Sequence, residues 1–119
     1  MKLHRLRETG LNGLSYTVGL RSNLGGPWQI LIEPTNICNF KCVYCPQSVP
    51  EEHFRNGKGF MTLADFQRVV DKLSKPWRNK IVNLIRDGEP TLHPEIVDMV
   101  RIVAEAGHRP QFSTNMSRM

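Results

Sequence analysis

The chain has little from which to build a disulfide framework, a membrane span or a leader peptide. It holds 3 cysteines in 119 residues, and all of them fall between Cys38 and Cys45. Secreted scaffolds carry an even set of thiols spread along the chain, so this odd cluster argues for a reducing, cytoplasmic setting. No apolar run approaches the roughly 20 residues that cross a bilayer. No apolar segment follows the basic start, so neither a secretory signal nor a membrane partner is expected. Aromatic residues are sparse, at 8%, and do not interleave with basic ones along a face. The net charge of +5 therefore does not read as a nucleic-acid surface. Much of that charge lies near the start, where Lys2, Arg5, Arg7 and Arg21 face only Glu8. Paired carboxylates for acid–base work are also missing: Asp65 with Asp71, and Glu51 with Glu52, read as solvated charge. There is no internal repeat and no low-complexity tract.

What is there is one domain's worth of chain, with 39% hydrophobic residues, enough for a core. Residues 1–27 contain five glycines and no sustained period, and read as a basic leader with room for one short local element. Trp28–Ile32 is the first expected strand. Its run Ile30-Leu31-Ile32 is of the kind that buries both faces, as in parallel sheets, and Pro34 ends it. Residues 46–61 form a long connection. Thr62 offers an N-cap with Asp65 in a variant of the capping box, and Leu63, Phe66, Val69, Val70 and Leu73 follow at helical spacing. Lys72 and Lys75 suit the helix C-terminus, and Pro76 stops it. Lys80–Ile85 is the second strand. Pro94 suits the first position of the next helix, with Glu95 and Asp98 in its first turn. Its buried stripe is Ile96, Val97, Val100, Val103 and Ala104, and Gly107 is the left-handed stop. Gln111–Thr114 is the third strand. This order predicts an α/β fold, a parallel βαβαβ unit with right-handed crossovers. Every chemically suggestive stretch then falls after the C-terminal end of a strand, the functional edge of barrels and open α/β sheets.

The densest such stretch is Glu33-Pro34-Thr35-Asn36-Ile37-Cys38-Asn39-Phe40-Lys41-Cys42-Val43-Tyr44-Cys45-Pro46, with spacing C-x3-C-x2-C. Soft thiolates select iron–sulfur clusters, zinc or copper(I). A [4Fe–4S] cluster fully ligated by protein takes four cysteines. Three leave one iron open to a substrate or cofactor. A structural zinc site would want a fourth ligand, for which His53 is the nearest candidate.

The spacing, with an aromatic residue before the last cysteine, resembles the radical S-adenosylmethionine (SAM) family. Glu33-Pro34-Thr35-Asn36 and Asn39 are similar to members that carry a C-terminal SPASM domain. Two further elements stand in family order: Gly88-Glu89-Pro90-Thr91-Leu92-His93-Pro94, and the weaker Ser113-Thr114-Asn115. The resemblance covers about residues 28–115 and implies the first part of a partial (β/α)6, TIM-like barrel. It implies that Cys38, Cys42 and Cys45 hold three irons of a [4Fe–4S] cluster and that SAM chelates the fourth. An electron from a donor such as ferredoxin or flavodoxin then cleaves SAM to a 5′-deoxyadenosyl radical that abstracts hydrogen from a substrate. Peptides are common substrates among the SPASM-like relatives. The resemblance assigns cofactor contacts to Tyr44 (adenine), to Gly88, Glu89 and Pro90 (the SAM amino group), and to Thr114 and Asn115 (the SAM carboxylate or ribose). No catalytic side chain is assigned.

Chemically, the glycine allows close backbone approach, and carbonyls with a carboxylate suit an ammonium. Two positions depart from the family pattern. Asp87 stands where a first glycine is usual, tolerates positive φ and adds negative charge. Met116 replaces the glycine after Thr114-Asn115. A capped strand end explains Thr114 and Asn115 equally well; for Tyr44 a ring packed on its own loop is the bland alternative, and the adenine contact implied by the resemblance is the favoured reading. Phe40 and Val43 are expected to shield the cluster, and Glu33, Thr35 and Asn36 to fix the loop. His93 reads as a helix-start residue, and His4 and His108 as surface groups.

Only three of six βα units are expected here. The third strand would be an open edge, and no cysteine-rich region for auxiliary clusters follows. The chain therefore reads as a truncated core that by itself holds a cluster weakly and turns over nothing. The competing readings are a non-catalytic zinc or electron-transfer module and a metal-free remnant.

Overall fold

The computed structural model describes residues 2–17, 26–74 and 77–118. In chain order the elements are α1 (Lys2–Thr17), β1 (Gln29–Ile32), α2 (Leu63–Ser74), β2 (Ile81–Leu84), α3 (Ile96–Glu105) and β3 (Arg109–Gln111), with short 3₁₀ turns at Pro46–Ser48, Glu51–His53 and Pro90–Leu92. The strands form one parallel sheet in the order β1-β2-β3. Gln29 pairs with Ile81 and Ile32 with Leu84 across the first ladder, and Ile81 pairs with Arg109 and Asn83 with Gln111 across the second. Parallel neighbours need a long crossover, and α2 and α3 supply it, so the expected βαβαβ unit is present.

Both helices lie against the same side of the sheet and against each other. Ile32, Val82 and Leu84 meet Phe66 and Val70 of α2 and Met99 and Val103 of α3, and among the described residues these seven side chains are the buried core. The period of two along β1 points Ile30 and Ile32 inward and Leu31 away. Leu31 is 52% exposed, which corrects the expectation that this run buries both faces. Helices on one side only leave the other face of an edge strand open.

Helix ends follow local chemistry. Thr62 Oγ1 accepts from the Asp65 N–H at 3.1 Å and donates to the Asp65 carboxylate at 2.6 Å. The Thr62 hydrogen bond and Arg68 hold the Asp65 pKa below its ordinary value. At the end of α3, Gly107 takes φ +80°, its N–H donates to Ala104 O, and the His108 N–H donates to Val103 O. That pairing is the Schellman motif. Pro94 precedes α3 rather than opening it: the helix begins at Ile96 and Glu95 is its N-cap. Lys75 and Pro76 lie outside the described residues.

Three further expectations change. The leader contains a helix of 16 residues, not one short element, and Asn12 Nδ2 donates to Gly26 O to dock it. The third strand is Arg109–Gln111, not Gln111–Thr114. Among the described residues β3 pairs only with β2, the edge position in which a sheet tolerates Pro110. His108 is buried at 5% exposure, not a surface group. Its Nδ1 accepts from the Lys80 N–H at 3.2 Å, so Nε2 carries the proton toward Ser74 Oγ at 3.0 Å. Ser74 Oγ in turn donates to Val70 O. The histidine thus donates to the hydroxyl instead of accepting from it, and the pair is a structural clasp, not a nucleophile with its base. Burial, with the charges of Lys80 and Arg78, lowers the His108 pKa.

Candidate metal and cofactor site

The loops that leave the C-terminal ends of the three strands meet at one edge of the sheet. Gly88 shows how closely. A Cβ at Gly88 would lie 2.7 Å from the Thr35 carbonyl carbon and 3.0 Å from Asn36 Cα, so only glycine lets the β2 loop approach the cysteine loop. Neither Asp87 nor Gly88 has a positive φ. The requirement is for space, and Asp87 stands there without needing left-handed backbone. Its carboxylate is 3.6 Å from Arg86 Nε, so part of the added negative charge is met by its neighbour.

Hydrogen bonds then lock the two loops. The Glu89 N–H donates to Ile37 O at 2.8 Å, and the Asp87 N–H donates to Glu33 Oε1 at 2.9 Å. Thr35 Oγ1 donates to Gly59 O and accepts from the Ile37 N–H. Asn36 bonds both Gly57 O and the Gly59 N–H, and Thr35 forms a bridge with Phe60. Glu33, Thr35 and Asn36 do fix the loop, as expected.

Sequence reasoning missed Gln47. Its side chain is buried, and Nε2 donates to both Asn36 O (2.8 Å) and Asp87 O (3.0 Å). Lys58 Nζ donates to Gln47 Oε1 at 2.7 Å while lying 4.5 Å from the Phe54 ring centroid. One glutamine therefore joins the cysteine loop, the β2 loop and the long connection. Its only signal in the sequence is its place just after Cys45-Pro46. His93 lies ahead of α3, closing the 3₁₀ turn Pro90–Leu92, and is a buried brace, not a helix-start residue. Its Nδ1 accepts from the Glu95 N–H and its Nε2 donates to Met61 O at 2.9 Å, with the Phe60 ring edge-on at 5.3 Å.

The third loop joins through Glu89. Oε1 accepts from the Thr91 N–H, the Thr91 hydroxyl and the Thr114 hydroxyl, and Oε2 accepts from the Asn115 N–H. Glu89 is 3% exposed. Burial pushes its pKa up, but the bonds from Asn115, Thr114 and Thr91 outweigh it and hold the pKa below the ordinary value. The Glu89 carboxylate is a buried strut, because four donors fill most of its accepting capacity. Thr114 and Asn115 cap nothing on their own strand; they carry the tail onto the β2 loop. Met116 takes φ +60°, the conformation its glycine counterpart would adopt freely.

Cys38, Cys42 and Cys45 are free thiols on this rim, Cys42 exposed and the others half-buried. A turn closes from the Cys45 N–H to Cys42 O. Cys38 Sγ accepts from the Phe40 N–H at 3.4 Å and from Asn115 Nδ2 at 3.9 Å. Among the described residues, no three Cys, His, Asp or Glu side chains already surround one metal position. His53 is turned to its own loop, with Nδ1 3.3 Å from Pro50 O, which gives no support to a fourth zinc ligand. The donor set fits a [4Fe–4S] cluster with one open iron: three soft sulfurs, and N–H groups aimed at a sulfur as cluster thiolates accept them. Phe40 and Val43 flank the thiols at 44% and 83% exposure. Tyr44 is fully exposed, which excludes a ring packed on its own loop.

Comparison with known proteins agrees. Residues 32–119 match the Radical SAM superfamily. The chain is 33% identical over 86 residues to the tungsten-containing aldehyde ferredoxin oxidoreductase cofactor-modifying protein of Pyrococcus furiosus, covering 72% of this chain and 23% of that protein. It is 29% identical over 94 residues to GTP 3′,8-cyclase of Vibrio vulnificus, covering 77% and 28%. The crystal structure of BtrN in complex with AdoMet and 2-DOIA superposes with a TM-score of 0.69 at 28% identity, over 77% of this chain and 37% of that one. BtrN in an open conformation gives 0.65 at 26% identity, over 77% and 40%. The chain spans about a quarter of the length of these two curated relatives. By its three-cysteine loop, the strand ends that hold it and this match over residues 32–119, the chain belongs to the Radical SAM superfamily, whose members use a [4Fe–4S] cluster and S-adenosylmethionine.

Proposed function

We propose that this chain is the cluster- and SAM-binding portion of an enzyme that generates a substrate radical, with Cys38, Cys42 and Cys45 as the iron ligands. The observation that carries this reading is the meeting of three strand-end loops, with Asn115 bonded to both Glu89 and Cys38. When bound, the cluster and SAM supply one-electron cleavage of a carbon–sulfur bond and the 5′-deoxyadenosyl radical that abstracts hydrogen. The chain's own residues supply position. Gly88 admits backbone close to the site, and the Gly88-Glu89-Pro90 backbone serves the SAM amino group. The open face of Tyr44 serves the adenine. Thr114 and Asn115 hold the third wall, next to the SAM carboxylate or ribose.

The finer reading is a SPASM-type member acting on a peptide, with ferredoxin or flavodoxin as electron donor in the cytoplasm. Its support is the Glu33-Pro34-Thr35-Asn36 flank and Asn39. No helix of the described residues is long and apolar enough to cross a membrane, and no membrane or nucleic-acid partner enters this reading.

Anaerobic reconstitution with iron and sulfide tests the ligand assignment. The expected product is brown and oxygen-sensitive, approaches about four irons per chain, and loses its cluster in each of Cys38→Ser, Cys42→Ser and Cys45→Ser. Full iron uptake by any one of these variants would remove that cysteine from the set. Stoichiometric zinc in its place would overturn the proposal.

A further inference from the structure

The backbone N–H and both side-chain polar atoms of Asn115 are hydrogen-bonded. Its backbone N–H donates to Glu89 Oε2 at 2.7 Å. Its Oδ1 accepts from the Ser117 N–H at 3.0 Å, an Asx turn that the left-handed Met116 makes possible. Nδ2 has two hydrogens and two acceptors, Asn39 Oδ1 at 2.9 Å and Cys38 Sγ at 3.9 Å. Asn39 Nδ2 in turn donates to Ser117 Oγ at 2.7 Å. The orientation of the carboxamide is therefore fixed by chemistry. Turned over, it would set an oxygen against the Asn39 oxygen and against a thiolate, and would leave the Ser117 N–H facing an amide donor. The contact joins residues 77 positions apart in sequence, so the fold has to deliver it.

Building on the radical SAM reading, we infer that Asn115 is a positioning residue for the cluster: its carboxamide donates to Cys38 Sγ and thereby sets the reduction potential of the iron–sulfur centre. A hydrogen bond withdraws negative charge from a ligating sulfur, and more strongly from the electron-richer, reduced centre. The bond therefore favours reduction, and its loss drives the potential down. Asn115 thus serves the electron-accepting step through Cys38, a role separate from any contact with SAM.

Redox titration of the reconstituted chain, followed by electron paramagnetic resonance, tests this. Asn115→Ala removes the donor, and Asn115→Asp keeps the shape while replacing the donor with a charge. Both variants are expected to bind iron and to lower the midpoint potential, with the aspartate variant lower. The expected displacement of the reduction equilibrium is up to about tenfold, or ~59 mV for a one-electron couple. Ser117→Ala loosens the same tail by removing the bond from Asn39 but leaves the donor to Cys38, and is expected to keep the wild-type potential. Unchanged potentials in both Asn115 variants would overturn the inference while leaving the parent reading intact, and so would a Ser117→Ala shift as large as that of Asn115→Ala. A wild-type chain that takes up no cluster would overturn both.

Discussion

Gly88 has no room for a side chain, and the consequence is local and measurable. Gly88→Ala must push the Thr35–Asn36 backbone away. Overpacking of this kind costs typically about 1–3 kcal/mol, so a urea titration should show a midpoint lower by a corresponding amount. Since the same contact seats the cysteine loop, cluster uptake should fall with it.

His108 gives a second prediction at the scale of one residue. Its pKa is lowered in the folded chain, so the unfolded chain binds the proton more readily. Its contribution to stability is complete above the ordinary histidine pKa, about 6.5, and is lost as pH falls through the lower, folded value. The metal-free chain should therefore lose stability on acidification below about pH 6.5, and His108→Gln should flatten that part of the profile. An unchanged profile in the variant would exclude His108 as its source. Glu89 acts in the same direction in a lower window, because its carboxyl is also held below the ordinary value.

At the scale of elements, stability rests on two helices against one face of three strands. Thr62→Ala removes the α2 cap and should cost about 1 kcal/mol. Met99→Ala opens a cavity at a fully buried position and should cost about 2–5 kcal/mol. Thermal or chemical unfolding of the two variants should rank them in that order.

The elements were legible where the chain repeats a period or carries a stop. Phe66 and Val70, with Val69 and Leu73 packed beside them, announce α2, and Gly107 announces the end of α3. Legibility failed where the deciding contact was distant. Pro110 looks like a breaker until its strand proves to be an edge. Leu31 looks buried until both helices prove to share one side. A lone histidine such as His108, or a loop glutamine such as Gln47, carries no periodic signal, and only the packed chain shows them buried. The spacing marks out the three cysteines, but the burial of the Glu89 carboxylate depends on Thr114 and Asn115, which arrive from 25 and 26 residues away.

At the scale of the whole molecule, the parallel arrangement is what gathers the site. Each strand runs the same way, so each following loop emerges at the same edge. The backbone N–H groups and side chains that satisfy one loop then come from the other two. Glu33 holds the β2 loop, Gln47 holds two carbonyls of different loops, and Glu89 holds the β3 tail. This cross-bracing explains how a short sheet with a core of seven buried side chains can keep an exposed cysteine loop in register. It also gives the departures at Asp87 and Met116 a physical reading: one needs no special backbone, and the other adopts the backbone its position demands.

Under the proposed function these loops hold a [4Fe–4S] cluster with one iron open to SAM. The most direct test is the electron paramagnetic resonance spectrum of the reduced, reconstituted chain, recorded with and without SAM. A spectrum whose g values change when SAM is added is expected, because SAM would bind at the iron that the three cysteines leave open. A reduced cluster whose spectrum is the same with and without SAM would contradict it.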